Sequence, residues 1–373
     1  MIYPMLMPSL ILVGVASALT CDEYAPLALL GEMKGSSVNE ASGLARSRTR
    51  PGIWFTHNDA GGIAELYAFE LDGTFVEAHT VAGAEFRDWE DLSAGPCPDR
   101  PGDCLYIGDI GDNSRTRDSI AVYVVEEPAP GAQAEVIATF PAFYPEGVAM
   151  DSEALFVHPR TGRIYLATKD HDSDTSFIFR FHHEPTEAPQ ELTEVYAWMP
   201  EPPDTAVTGG AWDPDGDRLV IRTYAWAFVW STDPCEPEAH WGQPATPQLV
   251  GDSRGESIAF DLDGGMVAVT EGGVMSIAQL ACLAPGPGSG PCDTGQADTD
   301  TDADGDTDTD TDADGDADSR PPDSPQPDSP EDSDTGAGQP EEGCGGCGGC
   351  GHAPVGALMA GLLGLAALRR RRA

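Results

Sequence analysis

One short unit recurs along this chain at intervals that few folds produce. Asn39-Glu40-Ala-Ser-Gly-Leu44 is echoed by Trp89-Glu90-Asp-Leu92, by Ser152-Glu153-Ala-Leu155 and by Gly255-Glu256-Ser-Ile258-Ala-Phe260. A degenerate copy, Thr208-Gly-Gly-Ala-Trp212, falls between the last two. Counted from Glu40, with Gly209 as the fourth start, the spacings are 50, 63, 56 and 47 residues. Repeats of roughly 40–50 residues with about four strands each are the signature of propeller blades. Helix signals are nearly absent, and short β-branched and aromatic runs alternate with Gly, Pro and Asp turns. The chain therefore reads as all-β, a single β-propeller within residues 19–291.

The strands can be assigned blade by blade. The first blade takes Gly52 to His57, Glu65 to Phe69 and Thr74 to Val81; the second takes Leu105 to Ile107, Ile120 to Val125 and Glu135 to Phe140. The third takes Arg163 to Ala167, Phe177 to Phe181 and Leu192 to Trp198. The fourth takes Arg218 to Thr223, Ala227 to Ser231 and a short strand near Leu249. The fifth shows only Val267 to Val269 and Val274 to Ala278 after its repeat, and the segment Leu27 to Met33 is free to supply its outer strand. Closing the ring with both chain ends removes open sheet edges that invite aggregation. Five blades follow, with six as the alternative.

In such a ring the first strand of each blade lines the channel, so Glu40, Glu90, Glu153 and Glu256 converge on one mouth. The second strands end in more polar groups: Asn58-Asp59, Asp109 with Asp112-Asn113, Lys169-Asp170, Arg222 and Glu271. Crowded carboxylates bind a cation, bind a basic group, or raise one another's pKa. A hard cation such as calcium takes about six to eight oxygens, and Glu90, Asp109 and Glu153 are the first candidates as ligands. The competing reading is architectural, with each Glu capping turns inside its own blade. As an enzyme the protein would be a calcium-dependent hydrolase of esters or phosphoesters, with His57, Asp109 or Asp112 as proton acceptor. No P-loop and no HExxH is present. His182-His183 falls on an expected third strand, where neighbours face opposite ways and do not share a metal. The first reading is a binding propeller for calcium, a cationic group or a protein; the third is a purely architectural envelope protein.

Three segments carry a resemblance. Thr56-His-Asn-Asp-Ala-Gly-Gly62, Asp88-Trp-Glu-Asp91 and Gly108-Asp-Ile-Gly-Asp-Asn113, followed by Arg222-Thr-Tyr224 and Gly255-Glu-Ser-Ile-Ala259, resemble a family of secreted bacterial propeller proteins with the same motifs in the same order. The resemblance spans most of residues 35–273 and implies the fold, not an activity. More coarsely the chain looks like phytase-like and gluconolactonase-like propellers, in which calcium at the channel supports hydrolysis. No residue of those active sites can be matched here.

The ends carry addresses. Met1 to Ala18 reads as a secretory signal, its apolar run Leu6 to Val15 ending at Ala16-Ser17-Ala18. Lipidation at Cys21 is the lesser alternative, because Thr20 is bulky. Residues 292–343 read as a tether: from Asp293 to Glu342 there are 19 carboxylates against the single Arg320 and no large apolar side chain, which predicts disorder. Removing that −18 and the +4 of the terminal arginines from the chain's −43 leaves −29, so the folded part is acidic too. Nucleic acid and anionic membrane surfaces are therefore poor partners, and cations are good ones. Within the tether, Asp300, Asp302 and Asp304, repeated as Asp310, Asp312 and Asp314, match the first positions of a calcium loop, but the bidentate Glu is missing. The tether reads first as a self-repelling extended spacer, with weak calcium binding that stiffens it as the alternative.

Residues 344–373 hold Cys344, Cys347 and Cys350 in a glycine run, an apolar stretch that predicts a short helix, and Arg369, Arg370, Arg371 and Arg372. This order resembles the MYXO-CTERM class of sorting signals. That implies partners in the export and C-terminal sorting machinery, a membrane-held stage before processing, and display at the cell surface or in the envelope. Metal binding by the three cysteines is the competing reading. Six further cysteines suit an exported chain with disulfides. Cys97–Cys104, flanking a tight loop, is the best pair, and Cys235–Cys282 the next.

Overall fold

The computed structural model describes residues 19–34, 37–59, 62–170, 173–251, 254–288 and 292. The signal, the tether beyond residue 292 with its Asp repeats, and the sorting tail lie outside the described residues. The described chain folds as a five-bladed β-propeller, each blade a four-stranded antiparallel sheet. Blade 1 runs Ala41–Arg46, Trp54–Asn58, Glu65–Phe69 and Phe75–Ala82. Blade 2 runs Trp89–Pro96, Asp103–Asp109, Ile120–Glu126 and Ala134–Phe143. Blade 3 comprises Ser152–Val157, Ile164–Thr168, Ser176–Arg180 and Thr193–Trp198, and blade 4 Val207–Trp212, Arg218–Thr223, Trp226–Ser231 and Thr246–Leu249.

Blade 5 is assembled from both ends. Gly255–Phe260, Met266–Thr270 and Val274–Leu280 come from the C-terminal side. The outer strand is Ala28–Lys34, antiparallel to Val274–Leu280 with Ala28 opposite Gln279 and Lys34 opposite Val274. This closure continues outward, where Leu19–Cys21 pairs with Pro285–Pro287 and Cys21 is disulfide-bonded to Cys282. Blades 1 and 2 are also stitched at their rims by a short parallel pairing of Val81 and Ala82 with Ala134 and Glu135.

Burial explains which residues stand where. The innermost strands of blades 3, 4 and 5 are buried along their whole length, sheathed on both faces by neighbouring blades. Outer strands such as Phe75–Ala82 alternate toward solvent. Between blades sit large apolar side chains, Trp54, Trp89, Trp230 and Phe156 among them. Each such side chain contributes about 1.5–3 kcal/mol by leaving water. Polar groups on the inner strands also join blades. Asp91 Oδ2 accepts the N–H groups of Leu155 in blade 3 and Gly210 in blade 4, at 2.8 and 3.0 Å, and Ser93 Oγ accepts that of Val157.

Two expectations are corrected. Cys97–Cys104 is a disulfide, but Cys235 pairs with Cys292 and Cys282 with Cys21. Ring closure brings the N-terminal strand beside Cys282, where Tyr24 bridges to it, so the partner of Cys282 comes from the far end of the chain. His182 and His183 lie beyond the third strand of blade 3, which ends at Arg180, and both are exposed. They line a cavity of about 440 Å³ with Thr161, Arg163, Arg180, Phe181 and Thr193. Both arginines there already face Glu238.

Candidate metal centre

Four of the five inner strands carry a β-bulge one residue from their start. In blade 2, Trp89 pairs with Asp109 and Asp91 with Gly108, leaving Glu90 as the extra residue. Glu153 is skipped in the same way between Ser152 and Ala154, Glu256 between Gly255 and Ser257, and Thr208 between Val207 and Gly209. A bulge frees a side chain from the pleat and re-aims it. Here it turns three glutamates into the channel. The fourth repeat is thus registered on Thr208, one residue earlier than the Gly209 alignment, because the bulge position and not the glycine is equivalent. Blade 1 differs: its irregularity lies between Ser42 and Ala45, and Glu40 precedes the strand as an exposed rim residue.

The result is a cavity of about 200 Å³ at the channel mouth, lined by Glu40, Ser42, Asp59, Glu90, Asn113, Glu153, Lys169, Tyr224, Glu256 and Glu271. Asp59, Asp88 and Glu90 bring ligand oxygens within 4.8 Å of one another, and so do Glu90, Asp151 and Glu153. Glu90 is 3% exposed, and its Oε1 is buried without a hydrogen-bond partner. Lys169 Nζ donates to Glu153 Oε2 at 2.5 Å and to the Tyr224 hydroxyl at 3.0 Å.

Burial, with Glu153 and Asp59 next, drives the Glu90 carboxyl well above its ordinary value. Burial pushes Glu153 up to about 8 against the pull of Lys169, and Glu256 up to about 7. Asp88 is raised to about 6 by burial and by Asp59. Burial alone would lower Lys169, but the adjoining Glu153 carboxylate outweighs it and the ammonium stays charged. Like charges crowded this way lack positive charge, and a hard cation with oxygen ligands supplies it.

Several candidates take other places. Asp109 does not join Glu90 and Glu153; its carboxylate is 2.8 Å from Arg117 Nη1 and is buried there. Asp112 accepts the Arg117 N–H at 2.7 Å, while its own N–H donates to Asp151 Oδ1 at 2.8 Å. His57 is fully buried beside the Trp89 ring edge, held by burial to about 4, and does not line the cavity. Asn58 pins the start of blade 1: Oδ1 accepts the N–H groups of Asn39 and Glu40, and Nδ2 donates to Ser37 O. Asp170 receives Arg115 Nη2 at 3.1 Å, at the edge of a neighbouring hollow.

Two ligand candidates escape a search for repeated glutamates. Asp88 and Asp151 each stand two residues before a bulged Glu, so Asp88-Trp-Glu90 and Asp151-Ser-Glu153 share an Asp-x-Glu pattern. The equivalent places before Glu40 and Glu256 hold Val38 and Arg254, which confines the pattern to blades 2 and 3. Gly255 marks a third feature. A β-carbon there would fall 1.5 Å from Arg222 Nη2, so only glycine admits the buried guanidinium, which donates to Ser257 O at 3.0 Å and ties blade 4 to blade 5.

Fold and site together define a five-bladed propeller with a carboxylate-lined channel mouth. No protein-family model matches the chain, and no curated protein matches it. Among solved structures, a glucose dehydrogenase is 10% identical, over 69% of this chain and 99% of its own, with a TM-score of 0.41. The soluble aldose sugar dehydrogenase from Escherichia coli, in its apo-form, is 10% identical over the same shares, with a TM-score of 0.37. At that distance neither says what this chain binds.

Proposed function

We propose that this protein is an exported, surface-displayed propeller whose channel mouth binds a divalent cation, calcium by its ligand chemistry. The observation that carries the reading is the Glu90 carboxylate, buried, without a hydrogen-bond partner at Oε1, and shared by both carboxylate groups. A buried carboxylate left so is costly unless it takes up a proton or a cation faces it, and the carboxylates gathered around Glu90 favour the cation. The donors are all oxygens, which suit a hard ion and not a thiophilic one. Three disulfides fit an oxidising compartment, in keeping with the signal-like start and the sorting-type tail. The bases expected for the hydrolase alternative, His57, Asp109 and Asp112, do not line the cavity.

Thermal melting of the full-length protein tests this. After treatment with EDTA, millimolar calcium should raise the melting temperature by about 5 °C or more, since a ligand of the native state stabilises it. Glu90→Gln should abolish the rise. Identical melting of the wild type with EDTA, calcium, magnesium and manganese would overturn the reading.

A further inference from the structure

The two carboxylate groups of the channel mouth share one residue. Oxygens bound to one calcium at about 2.4 Å can lie at most about 4.8 Å apart. Asp59, Asp88 and Glu90 meet that limit, as do Glu90, Asp151 and Glu153, so each group fits one ion. The five residues do not merge into one such set, because the groups have only Glu90 in common. A single ion therefore leaves one group unserved.

We propose that the channel mouth holds two divalent cations bridged by the Glu90 carboxylate. The proposal rests on the cation-binding function above and adds its stoichiometry and its bridging ligand. Charge supports two ions over one. The groups contain five carboxylates, and Lys169 supplies one positive charge beside Glu153, while Arg117 is matched by Asp109. One divalent ion leaves these five carboxylates and Lys169 net negative, and Glu256 adds a further carboxylate beside Glu153. The repeated Asp-x-Glu pattern gives each ion the same pair of ligands, one pair from blade 2 and one from blade 3. Glu90 belongs to both groups, and its Oε1 is buried without a hydrogen-bond partner. Paired ions of this kind sit about 3.5–4 Å apart, a distance one carboxylate spans.

Manganese(II) serves as the probe, with the full-length protein stripped by EDTA and loaded stepwise. Isolated ions give a simple hyperfine-split EPR signal, whereas two ions across one carboxylate couple magnetically. Manganese held by separate carboxylates elsewhere on the chain contributes only the isolated signal. The expected result is two tightly held equivalents, with the coupled spectrum appearing as the second binds. Asp88→Asn should leave one tight equivalent and the isolated signal alone. One tight, uncoupled equivalent in the wild type would overturn the two-ion centre and leave the cation-binding function standing. Absence of any tight manganese or calcium would overturn both. A coupled spectrum that survives in Asp88→Asn would overturn the ligand assignment.

Discussion

Gly111 and Glu90 meet with no side chain between them: a β-carbon on Gly111 would lie 2.1 Å from Glu90 Oε1 and 2.6 Å from Asp88 Oδ2. The Gly111 N–H also donates to Asp88 O at 3.2 Å, which holds the loop after the second strand of blade 2 against the carboxylates. The glycine of Gly108-Asp-Ile-Gly-Asp-Asn113 thus keeps space for two ligands. Gly111→Ala should displace both and weaken calcium binding about tenfold or more, roughly 1.4 kcal/mol. The calcium-induced rise in melting temperature reads this, with the EDTA-treated variant as its own baseline. A full calcium response in the variant would show that the ligands do not depend on this contact.

Lys169 is 7% exposed and is in contact with Glu153. Removing one member of a buried pair leaves the other charge stranded, at a cost of about 3–5 kcal/mol. Lys169→Met should lose about that much stability toward urea in EDTA. Millimolar calcium should return part of it, since a cation can replace the ammonium beside Glu153. The double variant Lys169→Met/Glu153→Gln should be more stable than Lys169→Met alone in EDTA. Equal stability of the wild type and Lys169→Met in EDTA would mean that the pair does not hold the channel mouth together.

Much of the ring was legible because blade period and strand alternation are properties of the sequence itself. The repeated glutamates marked every blade start but one, and the missing outer strand of blade 5 pointed to Leu27–Met33, beside the observed Ala28–Lys34. The site was only half legible. Which carboxylates meet depends on bulge register and on competing partners, and neither has a sequence period. Asp109 looked equivalent to other rim acids until Arg117, eight residues on, proved to be its partner. Asp151 lies just before its strand, outside the glutamate motif, and joins the cluster because the bulge at Glu153 bends the chain there. The partner of Cys282 was hidden for a related reason: ring closure brings it beside Cys21, with no sequence signal in common.

His158 and His240 lie in the aromatic cluster between blades 3 and 4, against Trp212 at 4.7 and 5.6 Å between ring centroids. Burial holds each to about 4, and Arg160 and Arg163 push His158 the same way, whereas Glu238 opposes the shift at His240. An unfolded histidine titrates near 6.5. Between the two values the unfolded chain binds more protons, so stability falls as pH drops from about 6.5 toward 4. His240→Phe keeps the ring contacts with Trp241 and Trp212 but does not titrate. Its stability relative to wild type should improve by up to about 3 kcal/mol over that window and stay constant above pH 7. Asp213, raised by burial to about 7, loses stability in the opposite direction but is common to both proteins and cancels in the difference. Urea unfolding at several pH values measures the gap; a gap independent of pH would show that His240 is protonated freely in the folded protein.

The disulfides differ in how much chain they close. Cys21–Cys282 spans 261 residues and fastens the N-terminal segment beside the strand that completes blade 5, whereas Cys97–Cys104 spans 7 and closes one turn in blade 2. Loop-closure entropy of the unfolded chain makes the first worth about 5 kcal/mol and the second about 2. Cys21→Ser/Cys282→Ser should therefore cost about twice the stability of Cys97→Ser/Cys104→Ser in urea unfolding. It should also loosen the pairing of Ala28–Lys34 with Val274–Leu280, which hydrogen exchange on that strand would detect as faster opening than in the other blades. Equal losses from the two double variants would place the strength of the ring closure in the strand pairing itself and not in the covalent tie outside it.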